Sequence, residues 1–108
     1  MTKKIMLCCG AGMSSGLLAQ KARKAAKKQG LDVTVEARGE SEVPQYFDSI
    51  DILLLGPHYA NLRDEMATMA APYHLPVLVI PKEMYGLLDG VGVLALALSE
   101  LEKAGTES

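Results

Sequence analysis

Long hydrophobic runs are missing from this sequence. Across its 108 residues the most extended apolar stretches, Ile52 to Leu55 and Val91 to Leu98, fall well short of the roughly 20 residues that a membrane-spanning helix requires. Aromatic residues are scarce as well. With no tryptophan, one phenylalanine and four tyrosines, the chain has little to stack against a flavin. Only two cysteines are present, and Cys8 and Cys9 are adjacent, which excludes a disulfide framework. Thiols beside glycines suit a reducing compartment, so the expected location is the cytoplasm. The apolar stretch after Lys3 and Lys4 gives way to a glycine-rich turn within five residues, so no secretory signal is expected. Repeats, low-complexity tracts and internal linkers are absent, which leaves one domain. Acidic residues are absent from positions 1–31, which hold seven Lys or Arg, whereas the remainder holds four bases against thirteen acids. The net charge of −2 argues against a dedicated nucleic-acid binder.

What is present is ordinary for a globular fold. Apolar residues make up 49% and charged residues 22% of the chain, which excludes intrinsic disorder. Four strand-length apolar runs stand out: Lys4 to Cys8, Asp32 to Ala37, Asp51 to Leu55 and Pro76 to Ile80. Val33 and Val35 alternate with Thr34 and Glu36, as on a half-exposed edge strand. Ile52-Leu53-Leu54-Leu55 does not alternate, as in a strand covered on both faces.

Helical patterns separate the strands. Ser14 to Gln29 sets Leu18, Ala22, Ala25 and Ala26 on one side and lysines on the other, with Gly30 as its stop. A short helix is expected around Ser41 to Asp48, where Pro44 suits a first turn. Leu62, Met66, Met69 and Ala70 form an apolar stripe on a crossover helix. A last helix is expected from about Asp89 to Lys103. Alternation of strands and helices in this order predicts an α/β fold, a parallel sheet with helices on both faces. Ligands in such sheets gather where strands end and helices begin, which singles out the loops Cys9 to Ser15, Gly56 to Tyr59 and Pro81 to Gly90.

The first of these loops carries the chemistry. Gly10 and Gly12 let the backbone turn tightly and aim N–H groups inward as an anion nest. The helix that follows adds unsatisfied N–H groups and the positive end of its dipole. Ser14 and Ser15 are positioned to cap it and to donate hydroxyl hydrogen bonds. A cysteine at the mouth of such a nest is held toward its nucleophilic thiolate. Three phosphate motifs nearly fit. Gly10-x-Gly12-x-x-Ser15 lacks the third glycine of a dinucleotide fingerprint. Gly16 is followed by Leu17-Leu18 and not by the Lys-Ser/Thr of a P-loop. A low-molecular-weight tyrosine phosphatase needs Cys, five residues and Arg, and counting from Cys9 lands on Ser15. The loop thus has a phosphatase's nucleophile and nest without its arginine.

With Leu7-Cys8-Cys9-Gly10-Ala11-Gly12-Met13-Ser14-Ser15, Leu54-Leu55-Gly56-Pro57, and Tyr85-Gly86-Leu87-Leu88-Asp89-Gly90 followed by Val93-Leu94, the sequence resembles the enzyme IIB component of the bacterial sugar phosphotransferase system, lactose/cellobiose (diacetylchitobiose) class. The resemblance covers residues 3–104. It implies a domain over 1–104, with 105–108 as a flexible tail, and a flavodoxin-like, phosphatase-like parallel sheet of order 2-1-3-4. It also implies that Cys9 accepts a phosphoryl group from a phosphohistidine of the IIA component and passes it to a sugar bound by the membrane component IIC, with membrane association only through IIC. A β-disaccharide such as cellobiose is the expected sugar. Gly10, Ala11, Gly12, Met13, Ser14, Ser15 and Gly16 become the phosphate-binding loop. Neither metal nor other cofactor is called for, since nest and helix terminus supply the electrostatic stabilisation. Family members commonly carry a non-cysteine residue at the position of Cys8, and often glutamine at that of His58.

Neighbouring residues have plainer expected roles. Cys8 ends a buried strand and, by alternation, points away from Cys9 as a structural thiol. In a 2-1-3-4 sheet the first and third strands are neighbours, so His58 flanks the cysteine loop. It is either an exposed loop histidine or a partner to phosphate. His74 belongs to a loop, and Asp89 suits a helix cap. The lysines of the first helix form a solvated face or a dock for an acidic partner.

Overall fold

The Ile52–Leu55 run is the strand β3, and all four of its residues are buried. It sits inside a four-stranded parallel sheet of order β2-β1-β3-β4. The other strands are β1 (Lys3–Cys8), β2 (Val33–Arg38) and β4 (Val77–Val79). The computed structural model describes residues 3–8 and 13–107, with side chains at 3–8 and 16–103.

Alternation sorts the strand side chains into two cores. Ile5, Leu7, Val35, Ile52 and Leu54 meet α1 (Met13–Lys28) and α4 (Gly90–Glu107) on one face. Met6, Cys8, Leu53, Leu55 and Val77 meet Val43, Phe47 and α2 (Arg63–Ala70) on the other. Helices on opposite faces let the chain run outward from β1 to β2 and, in the opposite sense, from β3 to β4. The carboxyl ends of β1 and β3 therefore flank the switch point. Edge strand β2 leaves Thr34 and Glu36 exposed and buries Val35, as its alternation predicts.

Helix ends follow from local chemistry. Gly30 takes a positive φ of 71°, and the bonds Leu31 N–H to Ala26 O (2.9 Å) and Gly30 N–H to Lys27 O (3.1 Å) close α1 in a Schellman motif. The helix expected near Ser41 to Asp48 is a single 3-10 turn, Val43–Tyr46, with Pro44 in its first turn. The Leu62 stripe is only partly helical. Leu62 ends a 3-10 stretch, Pro57–Leu62, that precedes α2, and Met69 is exposed while Met66 and Ala70 are buried. A short helix α3 (Lys82–Gly86) occupies the loop after β4, and α4 runs past Lys103 to Glu107. Among the described residues no helix is long and apolar enough to cross a membrane.

Helix α4 crosses α1 at Gly90. A Cβ there would lie 2.5 Å from the Lys21 carbonyl carbon and 2.6 Å from the Ala22 nitrogen, both backbone atoms that cannot swing aside. Gly90→Ala is therefore expected to cost on the order of 1–3 kcal/mol. The check is a urea melt, with a lower midpoint at unchanged slope.

Candidate active site

The crevice at the switch point is built from three chain segments. The Gly56 N–H donates to the Cys8 carbonyl (3.0 Å), and the Ile80 N–H to that of Leu55 (2.8 Å). These bonds bring the ends of β1, β3 and β4 together at one edge. Cys8 is fully buried among the apolar side chains of the α2 face, which is the environment expected for it. Cys9, Gly10, Ala11 and Gly12 lie outside the described residues.

α1 begins at Met13, so Ser14 and Ser15 are the second and third residues of its first turn. That corrects the capping role expected of them, because a cap precedes the first helical residue. The first four N–H groups of an α-helix, here those of Met13, Ser14, Ser15 and Gly16, have no partner within it. Gly16 is exposed, and nothing lies within 4 Å of a Cβ built on it.

His58 is exposed and stands in the 3-10 stretch that follows β3. Its ring meets that of Tyr85 edge-on, with centroids 5.3 Å apart and planes at 76°. Tyr85 comes from α3, so the segments after β3 and β4 close on each other beside the end of β1. Periodicity could not reveal this pairing; the Tyr85-Gly86 motif was its only sequence signal. Asp89 does cap α4: its Oδ1 accepts the Gly92 N–H at 2.9 Å. Leu88, just before it, holds a left-handed φ of 52°, and the Asp89 N–H reaches back to the Met84 carbonyl. The Tyr85 to Gly90 motif is thus a tight helix-to-helix turn that sets α4 against α1. His74 also takes a left-handed conformation, after a 3-10 turn at Ala71–Tyr73, and is exposed.

The chain has three arginines, and each is occupied at an edge of the sheet. Arg23 Nη1 donates to the Val35 carbonyl at 2.7 Å, and Arg38 Nη1 to that of Ala37 at 2.9 Å. Arg63 Nε reaches the Val77 carbonyl at 3.4 Å. Asp32 and Pro76 bond inward to neighbouring strands, so by parity the carbonyls of Val35, Ala37 and Val77 face outward. Arg38 stands level with Cys8 in the β1–β2 register. Its guanidinium is turned to Glu36 (3.1 Å) and over the Tyr46 ring. A hydrogen bond with Tyr46, then the Glu36 charge, outweigh burial and raise its pKa above the ordinary value.

A parallel sheet whose strand order reverses between β1 and β3, with a long helix starting just beyond β1, defines a class: single-domain α/β proteins whose ligand crevice lies at the carboxyl edge of the sheet. Within it the chain belongs to the PTS lactose/cellobiose-specific IIB family. Residues 4–96 match the family described as "PTS system, Lactose/Cellobiose specific IIB subunit". The chain is 37% identical over 100 residues to the PTS system galactose-specific EIIB component of Lactococcus lactis subsp. cremoris (strain MG1363), covering 88% of this chain and 93% of that one. It is 34% identical over 97 residues to the oligo-beta-mannoside-specific EIIB component of Bacillus subtilis (strain 168), covering 90% and 94%. Its fold superimposes with a TM-score of 0.81 on the cellobiose-specific phosphotransferase IIB component from Borrelia burgdorferi. That structure is 31% identical, with 96% of this chain and 95% of that one covered. The expected family and the sheet order 2-1-3-4 both hold.

Proposed function

We propose that Cys9 is the phosphoryl carrier of this IIB component. Its thiolate attacks the phosphorus of a phosphohistidine on the IIA component. The S–P bond forms, the P–N bond breaks, and the electron pair returns to the imidazole nitrogen. In the second half a sugar hydroxyl held by the membrane component IIC attacks the phosphocysteine. The S–P bond breaks, the thiolate leaves, and the hydroxyl proton passes to a base beside the sugar. Residues Gly10 to Gly16 cradle the phosphoryl oxygens with backbone N–H groups between the transfers. The reaction takes place in the cytoplasm, where the thiol stays reduced.

The observation that carries this reading is the position of α1. Its first turn, with four N–H groups free of helical partners, begins at Met13, four residues after Cys9 and five after the end of β1. The positive end of this 16-residue helix favours an oxyanion held ahead of it. The sugar proposed is a β-disaccharide such as cellobiose, supported by relatives named for oligo-beta-mannoside and cellobiose and not by the one named for galactose. Incubation with the phosphorylated IIA component of its own system is expected to add one phosphoryl group per chain by intact-protein mass spectrometry. Membranes bearing IIC and the sugar then remove it. Deleting the gene should abolish growth on cellobiose alone; loss of growth on a different single sugar would reassign the substrate.

A further inference from the structure

The chain's three arginines all reach the same kind of atom, an outward carbonyl of an edge strand. On β2 the Asp32 carbonyl accepts from Lys3 of β1. Thr34 and Glu36 therefore pair inward, and Val33, Val35 and Ala37 turn their N–H and C=O groups away from the sheet. That row belongs to Val33-Thr34-Val35-Glu36-Ala37-Arg38, whose β-branched residues suit further strand pairing. Arg23 reaches over from α1 and donates through Nη1 to the Val35 carbonyl at 2.7 Å; Arg38 Nη1 donates to that of Ala37 at 2.9 Å. The other edge needs less protection. β4 has only three residues, and a short edge strand is a poor template; Arg63 Nε lies 3.4 Å from its Val77 carbonyl.

The β2 edge is complementary to itself. A second copy laid antiparallel about a two-fold axis at Val35 would set Val35 opposite Val35 and Val33 opposite Ala37, each pair exchanging N–H and C=O groups. The arginines oppose this pairing in two ways. Their N–H groups already occupy the Val35 and Ala37 carbonyls, which the second copy needs as acceptors. They would also have to be displaced or buried between the copies, and a buried cation is costly unless it is paired. Arg38 has Glu36 as counter-ion at 3.1 Å. Arg23 is the stronger obstacle, because it sits on the Val35 carbonyl and its two copies would meet at the axis.

We infer that Arg23 and Arg38 guard the sheet edge: by holding the Val35 and Ala37 carbonyls they keep β2 from pairing with the β2 of a second copy, and the protein stays a monomer. The inference is independent of the phosphoryl-carrier reading. Arg23→Met with Arg38→Met keeps much of each side chain's apolar length and removes both caps. The double variant is expected to lower the concentration at which half the chains are dimeric by about tenfold or more, as read by sedimentation equilibrium. Amide exchange locates the pairing. In the wild type the outward amides of Val35 and Ala37 are expected to exchange at least about tenfold faster than the inward amides of Thr34 and Glu36, and in the double variant all four are protected. Adding Ala37→Pro removes an outward N–H and no bond to β1, and is expected to return the double variant to a monomer. Lys82→Met with Lys103→Met takes the same charge from exposed positions on α3 and α4 and is expected to leave the monomer unchanged. If the double variant loses protection at Thr34 and Glu36, its strand has not folded. Arg38→Met alone, which leaves the tie from α1 in place, then carries the test with a smaller shift in the same direction. A folded arginine variant that remains monomeric to its solubility limit would overturn the proposal. So would a wild type already dimeric with Val35 and Ala37 protected, a variant dimer in which those amides stay fast, or equal dimerisation of the lysine variant.

Discussion

Cys9→Ser is expected to fold as the wild type does and to accept no detectable phosphoryl group from phosphorylated IIA, while Cys8→Ala still accepts one. At neutral pH a serine hydroxyl is a far weaker nucleophile than a thiolate at a helix terminus, so replacing one atom removes the acceptor. The adjacent thiol cannot substitute. Cys8 is fully buried with Met6, Leu53, Leu55 and Met66, on the face opposite Ile5 and Leu7. Cys8→Ala leaves a small cavity among those side chains and is expected to cost on the order of 1 kcal/mol, seen as a lower thermal midpoint. Intact-protein mass spectrometry after incubation with the complete donor chain reads both variants. A phosphoryl group on the Cys9→Ser protein, or one lost only from the Cys8→Ala protein, would remove Cys9 from its role.

The legible parts of the fold were those in which one residue's environment repeats along the chain. Ile52 to Leu55 announced a doubly covered strand because each of its positions is apolar, and Val33 to Glu36 announced an edge because every second one is. The order 2-1-3-4 did not come from such patterns. Strand pairing is decided by crossovers whose direction leaves no mark on any single residue, and the family motifs supplied it. The helix α3 was invisible because five residues are too few to display a period of 3.6. The stripe from Leu62 to Ala70 overstated its helix. A kink at Tyr59 and the 3-10 stretch through Leu62 take up the first position, and Met69 falls at the rim of the buried face. At the site, the glycines and the cysteine were legible as a motif, and their loop, residues 9–12, lies outside the described residues. The His58–Tyr85 contact and the arginines at the sheet edges were not legible, since each joins side chains to segments that only the tertiary fold brings together.

Those arginines bear on the second expected result: the isolated protein does not turn over a generic aryl phosphate above background, and once phosphorylated it keeps its phosphoryl group until an acceptor arrives. A phosphatase with a cysteine loop of this length places an arginine six positions after the nucleophile, and here that position is Ser15. An arginine supplied from elsewhere in the fold would serve as well, so the other candidates matter. Arg23 and Arg63 are bonded to outward carbonyls of β2 and β4. Arg38 alone is level with Cys8, and it is held by Glu36, Tyr46 and the Ala37 carbonyl. An arginine on a transferring phosphoryl group is worth on the order of 10³-fold or more in rate. With none at hand, attack by water would be disfavoured by that factor, whereas the proposed transfer to IIC would bring a sugar hydroxyl already positioned against the phosphorus. A carrier needs that difference, because each hydrolysed phosphocysteine would discard a phosphoryl group without moving a sugar. The measurement is the release of nitrophenol from p-nitrophenyl phosphate, together with the half-life of the phosphorylated protein in buffer and in the presence of IIC membranes and sugar. Rapid nitrophenol release by the wild type, or equal half-lives with and without the acceptor, would show that the loop hydrolyses what it is built to hand on.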